Sequence, residues 1–262
     1  MKPTFLNREK PLLTNMIQAE TPEACISTAR EAIFDGADAF GLQLCQLRPE
    51  YRTEKNYQDI FSYMEDRPVY LTNYRNGFSK HCSDEERAEE LMLALKAGGT
   101  LCDIMGDYFD PSPLELTENP QAIDRQKKLI DQIHSLGGEV LMSSHTLCFL
   151  PAEKVLQIAK AHENRGADIV KIVTASNSEE ELLENLKICS LLKQELRVPY
   201  LFLSVGPYCK IHRIMGPMLG CCMWLCVQRY DALSTKNQPL LRATREVIHH
   251  FDYKPDRERE NL

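Results

Sequence analysis

Residues 139–175 read EVLMSSHTLCFLPAEKVLQIAKAHENRGADIVKIVTA and contain one complete structural repeat. A short apolar run begins at Glu139, a segment of helical period runs from near Pro151 to Gly166, and a second apolar run begins at Ile169. Short runs rich in β-branched residues, separated by an amphipathic helix, are typical of parallel βαβ units. The stretch therefore predicts two parallel strands joined by a helix.

The same repeat continues in both directions along the chain. Candidate strands begin near Leu12, Ala39, Pro68, Thr100, Glu139, Ile169, Tyr200 and Cys221. Their starts are about 30 residues apart on average, the length of one βα unit. An open Rossmann-type sheet is the competing layout, but the sequence has neither G-x-G-x-x-G nor G-x-x-x-x-G-K-[ST]. We therefore expect an α/β fold, a single-domain (β/α)8 TIM barrel over residues 1–253, followed by a polar tail over residues 254–262.

The boundaries of the helices carry their own signals. Ser83 followed by Glu86 predicts a capping box. Further residues at plausible helix starts are Asn119, Pro151 and Ser178. Glycines at the predicted helix ends are Gly36, Gly98, Gly137 and Gly166. Each helix is therefore expected to stop a few residues before the next strand begins.

Composition excludes several classes of function. The chain has 262 residues, 43% hydrophobic and 26% charged, which is typical of a globular protein with a sizeable core. Its net charge of -7 supplies no basic face, so we expect neither nucleic acid nor a membrane as a partner. The first ten residues lack the apolar core of a signal peptide, which predicts a cytoplasmic protein. The oligomeric state stays open, with a homodimer among the options.

Ten cysteines raise the question of disulfides or metal. Isolated cysteines, interpreted as reduced core thiols, are Cys25, Cys45, Cys82, Cys102, Cys148, Cys189 and Cys209. Cys221, Cys222 and Cys226 lack C-x-x-C spacing and lie in an apolar run, so buried packing is favoured over a metal site. No metal or other cofactor is expected.

Lys171 is the most unusual residue of the predicted strands, because Ile169, Val170, Ile172 and Val173 surround it. A strand buried on both faces should not hold an unpaired ammonium group. Burial lowers the pKa of such a lysine and exposes a free amine, which can form a Schiff base with a carbonyl substrate. The structural alternatives are a lysine paired with a buried carboxylate and a lysine that snorkels at the strand end.

His145 ends the strand that precedes Lys171, at the end of Ser143-Ser144-His145. In a barrel the two side chains would meet at the carboxyl ends of neighbouring strands. A Schiff base acidifies the adjacent carbon, and a histidine could remove that proton and then protonate a leaving hydroxyl group. A strand-end histidine alone is more often structural, so the hypothesis depends on the pair.

With these residues the sequence resembles type I 3-dehydroquinate dehydratase, a metal-free Schiff-base barrel enzyme of the shikimate pathway of aromatic amino-acid biosynthesis. The resemblance implies that His145 is the general acid/base and that Lys171 forms the imine. Arg213 follows Gly206 at the spacing of the family's carboxylate-binding arginine. The family's terminal Ser-Ala-Pro-Gly-Gln loop is matched at Ser234 and Gln238 alone, and the resemblance implies that both bind substrate.

The sequence departs from the family on the other side of the site. The strand-two E-x-R becomes Gly41 and Gln43, and the strand-three T-x-R becomes Thr72-Asn73-Tyr74, with Arg75 displaced by one residue. Gln43 and Asn73 are the remaining polar candidates for substrate binding on these strands.

The acids of the family pattern are also depleted. The family glutamate after strand three would fall near Phe78, and the strand-four D-x-E survives as Asp103 with Met105 in place of the second acid. We expect neutral groups to replace the half of the site that orients charge and binds hydroxyl groups.

These observations predict a carbon-oxygen lyase that dehydrates a carboxylated ketone, either 3-dehydroquinate itself at poor efficiency or an altered substrate. A class I aldolase would use the same imine and break a carbon-carbon bond instead. A barrel that binds a carboxylated metabolite without turnover is the alternative outside catalysis. In each case the expected partner is a small carboxylated molecule.

Overall fold

The computed structural model describes residues 3–250, which form eight parallel strands alternating with eight α-helices. The strands are β1 (Leu12–Ile17), β2 (Ala39–Gln43), β3 (Val69–Thr72), β4 (Leu101–Met105), β5 (Glu139–His145), β6 (Ile169–Ala175), β7 (Tyr200–Val205) and β8 (Met223–Cys226). The helices are α1 (Pro22–Phe34), α2 (Glu54–Ser62), α3 (Asp84–Lys96), α4 (Pro120–Ser135), α5 (Ala152–Arg165), α6 (Glu179–Glu195), α7 (Cys209–Met218) and α8 (Leu241–His250). The predicted single-domain (β/α)8 barrel is confirmed. The predicted tail, residues 254–262, lies outside the described residues.

The ring of strands is nearly closed. A ladder of parallel pairs runs from β7 through β6, β5, β4, β3, β2 and β1 to β8. Between β7 and β8, the Cys222 N–H donates to the Tyr200 carbonyl at 2.8 Å. All seven residues of β6 are buried, as expected for a parallel strand covered on both faces. The apolar runs found in the sequence are therefore the strands of the barrel.

Strand register brings the two main candidate residues to one end of the barrel. Ser143 of β5 lies opposite Lys171 of β6, and His145 lies opposite Val173. Because alternate side chains of a strand share a face, Lys171 and Val173 point into the barrel together. His145 lies at the last residue of β5, so it is one step nearer the carboxyl ends than Lys171.

The predicted helix boundaries are confirmed. Ser83 and Glu86 form the reciprocal capping box of α3. Asn119, Pro151 and Ser178 are the N-cap residues of α4, α5 and α6. Gly166 ends α5 with a φ of 102°, in the left-handed region that favours glycine. That turn returns the chain to β6 and sets the position of Lys171.

The cysteines are all free thiols. Most are buried as expected. The expectation is wrong for Cys148, which is exposed because it lies in the loop after β5, while Cys82 and Cys222 are half-buried. Within residues 3–250, no cluster of three or more His, Cys, Asp or Glu side chains is placed to hold a metal ion. None of the helices in this range is long and apolar enough to cross a bilayer.

Candidate active site

A cavity of about 330 Å³ opens at the carboxyl ends of the strands. Its charged or titratable lining residues are Tyr70, Tyr74, Arg75, Glu115, His145, Lys171 and Arg213. The volume is at the lower end of the range for small-molecule sites. Active sites of (β/α)8 barrels lie at this end, because the loops that follow the strands surround it.

Lys171 lies at the base of the cavity and is 4% exposed. Its Nζ donates to Tyr74 Oη at 2.5 Å, to Tyr70 Oη at 3.0 Å and to Asp103 Oδ2 at 3.2 Å. Asp103 from β4 thus pairs with Lys171, as in the structural alternative of a lysine paired with a buried carboxylate. Burial lowers the pKa of Lys171, although the Asp103 carboxylate opposes this effect.

Asp103 is buried and remains ionised. Its Oδ1 accepts from Ser143 Oγ at 2.5 Å, and its Oδ2 accepts from Tyr74 Oη at 2.6 Å and from Tyr70. Burial alone would raise the pKa of this carboxyl, but the Lys171 charge and these hydrogen bonds hold it below its ordinary value. Lys171 and Asp103 are thus a buried ion pair bridged by two phenols.

His145 is held by an acid that the sequence pattern did not identify. Its Nδ1 lies 2.8 Å from Glu115 Oε2, and its backbone N–H donates to the same oxygen at 2.8 Å. A carboxylate at Nδ1 favours the tautomer with its proton there and leaves Nε2 as the basic nitrogen. Among residues 3–250, no group hydrogen-bonds to His145 Nε2, so this atom is available to a ligand.

Glu115 comes from the loop between β4 and α4, where a short 3-10 turn covers Pro113–Glu115. Leu114 and Glu115 have φ values of 63° and 47°. Non-glycine residues rarely adopt this region, and surrounding contacts must hold them there. The expectation that neutral groups replace the charge-orienting acid is therefore wrong: Met105 is neutral, but the loop brings Glu115 back onto His145.

Arg165 of α5 anchors that loop from below. It is buried and donates to the carbonyl oxygens of Gly106 at 2.7 Å and Thr117 at 2.5 Å, and to Gln126 Oε1 at 3.0 Å. The neighbouring His162 lies 3.1 Å from Ser144 Oγ, which in turn donates to the Glu115 carbonyl at 2.8 Å. These contacts explain how the backbone of the loop keeps its unusual conformation.

Arg213 of α7 supplies a second buried cation. It is 5% exposed, and its Nε donates to the Ser204 carbonyl at 2.9 Å. Within residues 3–250, no carboxylate lies within ion-pair distance of it. Burial lowers the pKa of Arg213 to about 10, so the guanidinium is still charged at neutral pH. A buried guanidinium without an acid is a site for an anionic ligand.

Neutral amides line the side of the cavity near β1 and β2. Gln18 Nε2 donates to Gln43 Oε1 and to Thr235 Oγ1, both at 2.7 Å. Gln238 is buried and lines the cavity, and its Oε1 has no partner among the described residues. The structure therefore brings Gln43 and Gln238 into the cavity with Lys171, His145 and Arg213.

Two predicted substrate-binding residues do not reach the cavity. Asn73 Nδ2 donates to Glu90 at 2.6 Å and its Oδ1 accepts from Ser79 at 2.8 Å, because alternation after β3 directs it towards α3. Ser234 exchanges hydrogen bonds with the Asp231 backbone, and the cavity is lined by Thr235 instead. The terminal loop is thus offset by one residue from the predicted match.

Arg75 lies at the rim of the cavity but is already paired. Its guanidinium bonds Asp84 and Asp107, each at 2.7 Å, which ties the loops after β3 and β4 together. At Gly41, an added Cβ would lie 2.1 Å from Met16 Sδ, so the Met16 side chain occupies the space where the family pattern has a charge. On the side of the site near β1 and β2, the substituted positions are therefore filled by neutral groups.

Sequence reasoning missed Tyr70, Tyr74 and Glu115. Tyr70 and Tyr74 carried a weak signal, since residues four apart share a face wherever the chain continues extended beyond the end of a strand. Glu115 carried none, because its place depends on the conformation of a loop.

An eight-stranded barrel with lysine, histidine and arginine around one cavity defines the class as an α/β barrel whose chemistry lies at its carboxyl end. The type I 3-dehydroquinase family model matches residues 16–250, and the chain belongs to this family. The resemblance found in the sequence is confirmed.

Several relatives carry the name 3-dehydroquinate dehydratase. That of Lactiplantibacillus plantarum is 26% identical over 137 residues, 51% of this chain and 53% of that protein. The match therefore spans about half the length of that relative. The Klebsiella pneumoniae protein is 27% identical over 225 residues, 84% of this chain and 85% of its own.

The structure of the Geobacillus kaustophilus enzyme superposes with a TM-score of 0.77 at 16% identity, covering 93% of each chain. At this identity the superposition shows the barrel fold alone.

Proposed function

We propose that this protein is a hydro-lyase of the 3-dehydroquinate dehydratase kind, acting on a carboxylated ketone through an imine at Lys171. The observation that carries the proposal is the placement of a buried amine, a free histidine nitrogen and an unpaired guanidinium around one cavity. These three groups supply a nucleophile, an acid/base and a carboxylate anchor. Membership of the family supports the same reaction.

In the first step, the neutral amine of Lys171 attacks the ketone carbon, and loss of water gives a protonated imine. Burial favours the neutral amine, as the lowered pKa of Lys171 indicates. Arg213 would hold the substrate carboxylate with its guanidinium while Lys171 holds the carbonyl carbon. Two fixed points orient the substrate ring in the cavity.

In the second step, His145 Nε2 removes a proton from the carbon next to the imine. The electron pair moves towards the iminium nitrogen and then expels a hydroxyl group from the β carbon, which leaves as water with a proton from His145. Hydrolysis of the conjugated imine restores Lys171. Glu115 fixes the orientation of the imidazole ring through the contact at Nδ1.

The substrate we propose is less dependent on charged hydroxyl recognition than 3-dehydroquinate. Met16, Gln43 and Tyr74 stand where the family pattern carries charges or leaves space for them. Amide and phenol groups bind hydroxyls more weakly than charged partners do. We also propose a cytoplasmic location, since ten free thiols are typical of a reducing compartment.

Borohydride trapping tests the proposal. The protein is incubated with 3-dehydroquinate and a panel of cyclic keto acids, reduced with borohydride and examined by peptide mass spectrometry, with Lys171→Ala as the control. We expect a substrate-derived mass on the Lys171 peptide, accompanied by a conjugated product. Release of an aldehyde would indicate an aldolase instead. Thermal stabilisation by the keto acids without an adduct would indicate a binding protein and would overturn the proposal.

A further inference from the structure

Tyr74 places its hydroxyl group between the two charged groups at the base of the cavity. The distances are 2.5 Å from Lys171 Nζ and 2.6 Å to Asp103 Oδ2. We propose that Tyr74 is a catalytic proton relay that carries protons between Lys171, Asp103 and the substrate oxygen during imine formation. This inference rests on the proposed imine at Lys171 and assigns a residue that the family pattern does not, since that pattern has arginine there.

The ion pair creates the need for a relay. An ammonium group has no lone pair and cannot attack a carbonyl, so Lys171 must lose a proton before it reacts. Tyr74 accepts a hydrogen bond from Lys171 and donates one to Asp103. One shift along this chain breaks an N–H bond, exchanges the proton on Tyr74 and forms an O–H bond on Asp103. The products are a neutral amine and a neutral carboxylic acid, so no net charge is created in the buried site.

The same relay serves the loss of water. After the amine adds to the ketone, the former carbonyl oxygen is bound to the carbon that carries Nζ. A hydroxyl group within hydrogen-bond reach of Nζ is therefore in reach of that oxygen as well. Formation of the C–N bond leaves an extra proton on nitrogen, and Tyr74 passes this proton to the oxygen, which becomes a hydroxyl group. Tyr74 then gives its own proton to that hydroxyl group, the C–O bond breaks with loss of water, and the nitrogen lone pair forms the C=N bond of the protonated imine. Tyr74 then recovers a proton from Asp103, which returns to its ionised form.

The electrostatic surroundings of Tyr74 keep its phenol protonated, as a proton donor requires. Burial and the Asp103 carboxylate raise the pKa of Tyr74 well above its ordinary value, so the phenol keeps its proton at neutral pH. Among residues 3–250, Tyr74 hydrogen-bonds Lys171 Nζ and His145 does not; Glu115 holds the His145 Nδ1, and the His145 ring meets the Tyr74 ring edge-on with centroids 4.8 Å apart. Tyr74 thus transfers protons at the Lys171 nitrogen and the substrate oxygen, and His145 transfers the proton at the carbon next to the imine.

Tyr70 provides a matched control within the same cluster. Its hydroxyl group also bonds Lys171 Nζ, at 3.0 Å, and Asp103. Tyr70 is fully buried within β3, whereas Tyr74 follows the strand and is partly exposed to the cavity. Both phenols support the ion pair, but the geometry assigns contact with a substrate oxygen to Tyr74.

The test uses acetylacetone, a small diketone that condenses with a neutral lysine amine to a stable conjugated product absorbing in the near ultraviolet. Wild type, Tyr74→Phe, Tyr70→Phe and Lys171→Met are compared, with circular dichroism as the check of folding. We expect Tyr74→Phe to condense about 10²-fold more slowly but to the same final extent, the loss typical of a missing general acid/base. Tyr70→Phe should slow condensation by a clearly smaller factor than Tyr74→Phe, because it removes support of the ion pair but leaves the phenol that faces the cavity in place.

Wild-type speed in Tyr74→Phe, or equal slowing in both variants, would overturn the relay. Failure of the wild type to condense at Lys171 would overturn it too. A proton inventory on wild-type condensation in mixtures of light and heavy water supplies a second measure that needs no variant: a curved plot is expected, and a linear plot contradicts the relay. If the wild type condenses with the diketone but leaves 3-dehydroquinate and the keto acids unchanged, the proposed function fails while the assignment of Tyr74 stands.

Discussion

Lys171 and Arg213 are both buried cations in one cavity, yet their surroundings differ. Lys171 has a carboxylate 3.2 Å away and two phenols within hydrogen-bond distance. Arg213 has one hydrogen bond to a backbone carbonyl, and no carboxylate within residues 3–250 pairs with it. The two side chains are almost equally buried, at 4% and 5% exposure.

The difference separates reaction from recognition. A lysine paired with a carboxylate can give up its proton inside the pair, which leaves a neutral nucleophile. A guanidinium holds its charge, so an incoming carboxylate is the partner that offsets its burial. We infer that the Asp103 partner of Lys171 supports the covalent reaction. Arg213 has no carboxylate partner among residues 3–250, which favours binding of a substrate carboxylate.

The largest effect is expected on turnover when the reacting cation is removed. Lys171→Met should lower kcat with 3-dehydroquinate, or with the best keto acid of the panel, by about 10⁴-fold or more, since among residues 3–250 no other lysine lines the cavity. Steady-state formation of the conjugated product measures this loss. No borohydride adduct should form.

His145→Ala is the control for that experiment. It should still trap imine while losing about 10²- to 10⁴-fold in turnover, because proton transfer and not imine formation is impaired. Wild-type turnover in His145→Ala would return this histidine to a structural role. An undiminished adduct in Lys171→Met would show that another residue forms the imine.

Stability should separate the two cations in the ligand-free protein. Lys171→Met leaves the Asp103 carboxylate buried without its cation, which costs about 3–5 kcal/mol of unfolding free energy. Arg213→Met leaves no opposite charge behind and should be neutral or stabilising. Urea unfolding at pH 7 measures both, and Lys171→Met combined with Asp103→Asn should recover most of the loss. Equal destabilisation by the two single variants would remove the distinction.

Ligand affinity should depend on Arg213, whereas the stability of the ligand-free protein depends on Lys171. Calorimetry on the wild type with substrate analogues whose ketone is replaced by hydroxyl avoids the imine. Removing the carboxylate from such an analogue should weaken binding by about 1.5–3 kcal/mol, the range for a hydrogen bond to a charged group. Removing ring hydroxyls should cost less, since neutral amides face them. In Arg213→Met the carboxylate effect should vanish. Strong dependence on hydroxyls with indifference to the carboxylate would contradict the assignment of Arg213.

The smallest expected effect is the pH dependence of stability that two buried, neutral histidines cause. Burial lowers the pKa of His162 and of His212 to about 3, so both are neutral in the folded protein. Their unfolded forms take up protons below about pH 6.5, so stability is complete above that pH and falls as the solution is acidified towards pH 3.

Each of these histidines contributes a slope that approaches about 1.4 kcal/mol per pH unit. Urea midpoints between pH 6.5 and 5 for wild type and His162→Gln measure it. The variant should lose stability less steeply, and identical slopes would show that His162 is not held neutral.

Sequence alone was sufficient for the barrel and for the residues at its centre. The eight strands begin within two residues of their predicted positions, and Lys171 and His145 lie at the predicted end of neighbouring strands. Apolar period, helix caps and terminal glycines are local signals, and each strand has only two faces. Arg213, Gln43 and Gln238 also reach the cavity as expected.

Tertiary structure decided which partners these residues have. Asp103 and Tyr74 reach Lys171 across 68 and 97 residues of sequence, and Glu115 reaches His145 across 30. Thr235 lines the cavity where Ser234 was predicted to do so, and no periodic signal could show this offset of one residue. Loop conformations depend on distant anchors, as the loop of Glu115 depends on Arg165. The period of a strand is set by its own backbone, but the position of a loop is set by what packs beneath it.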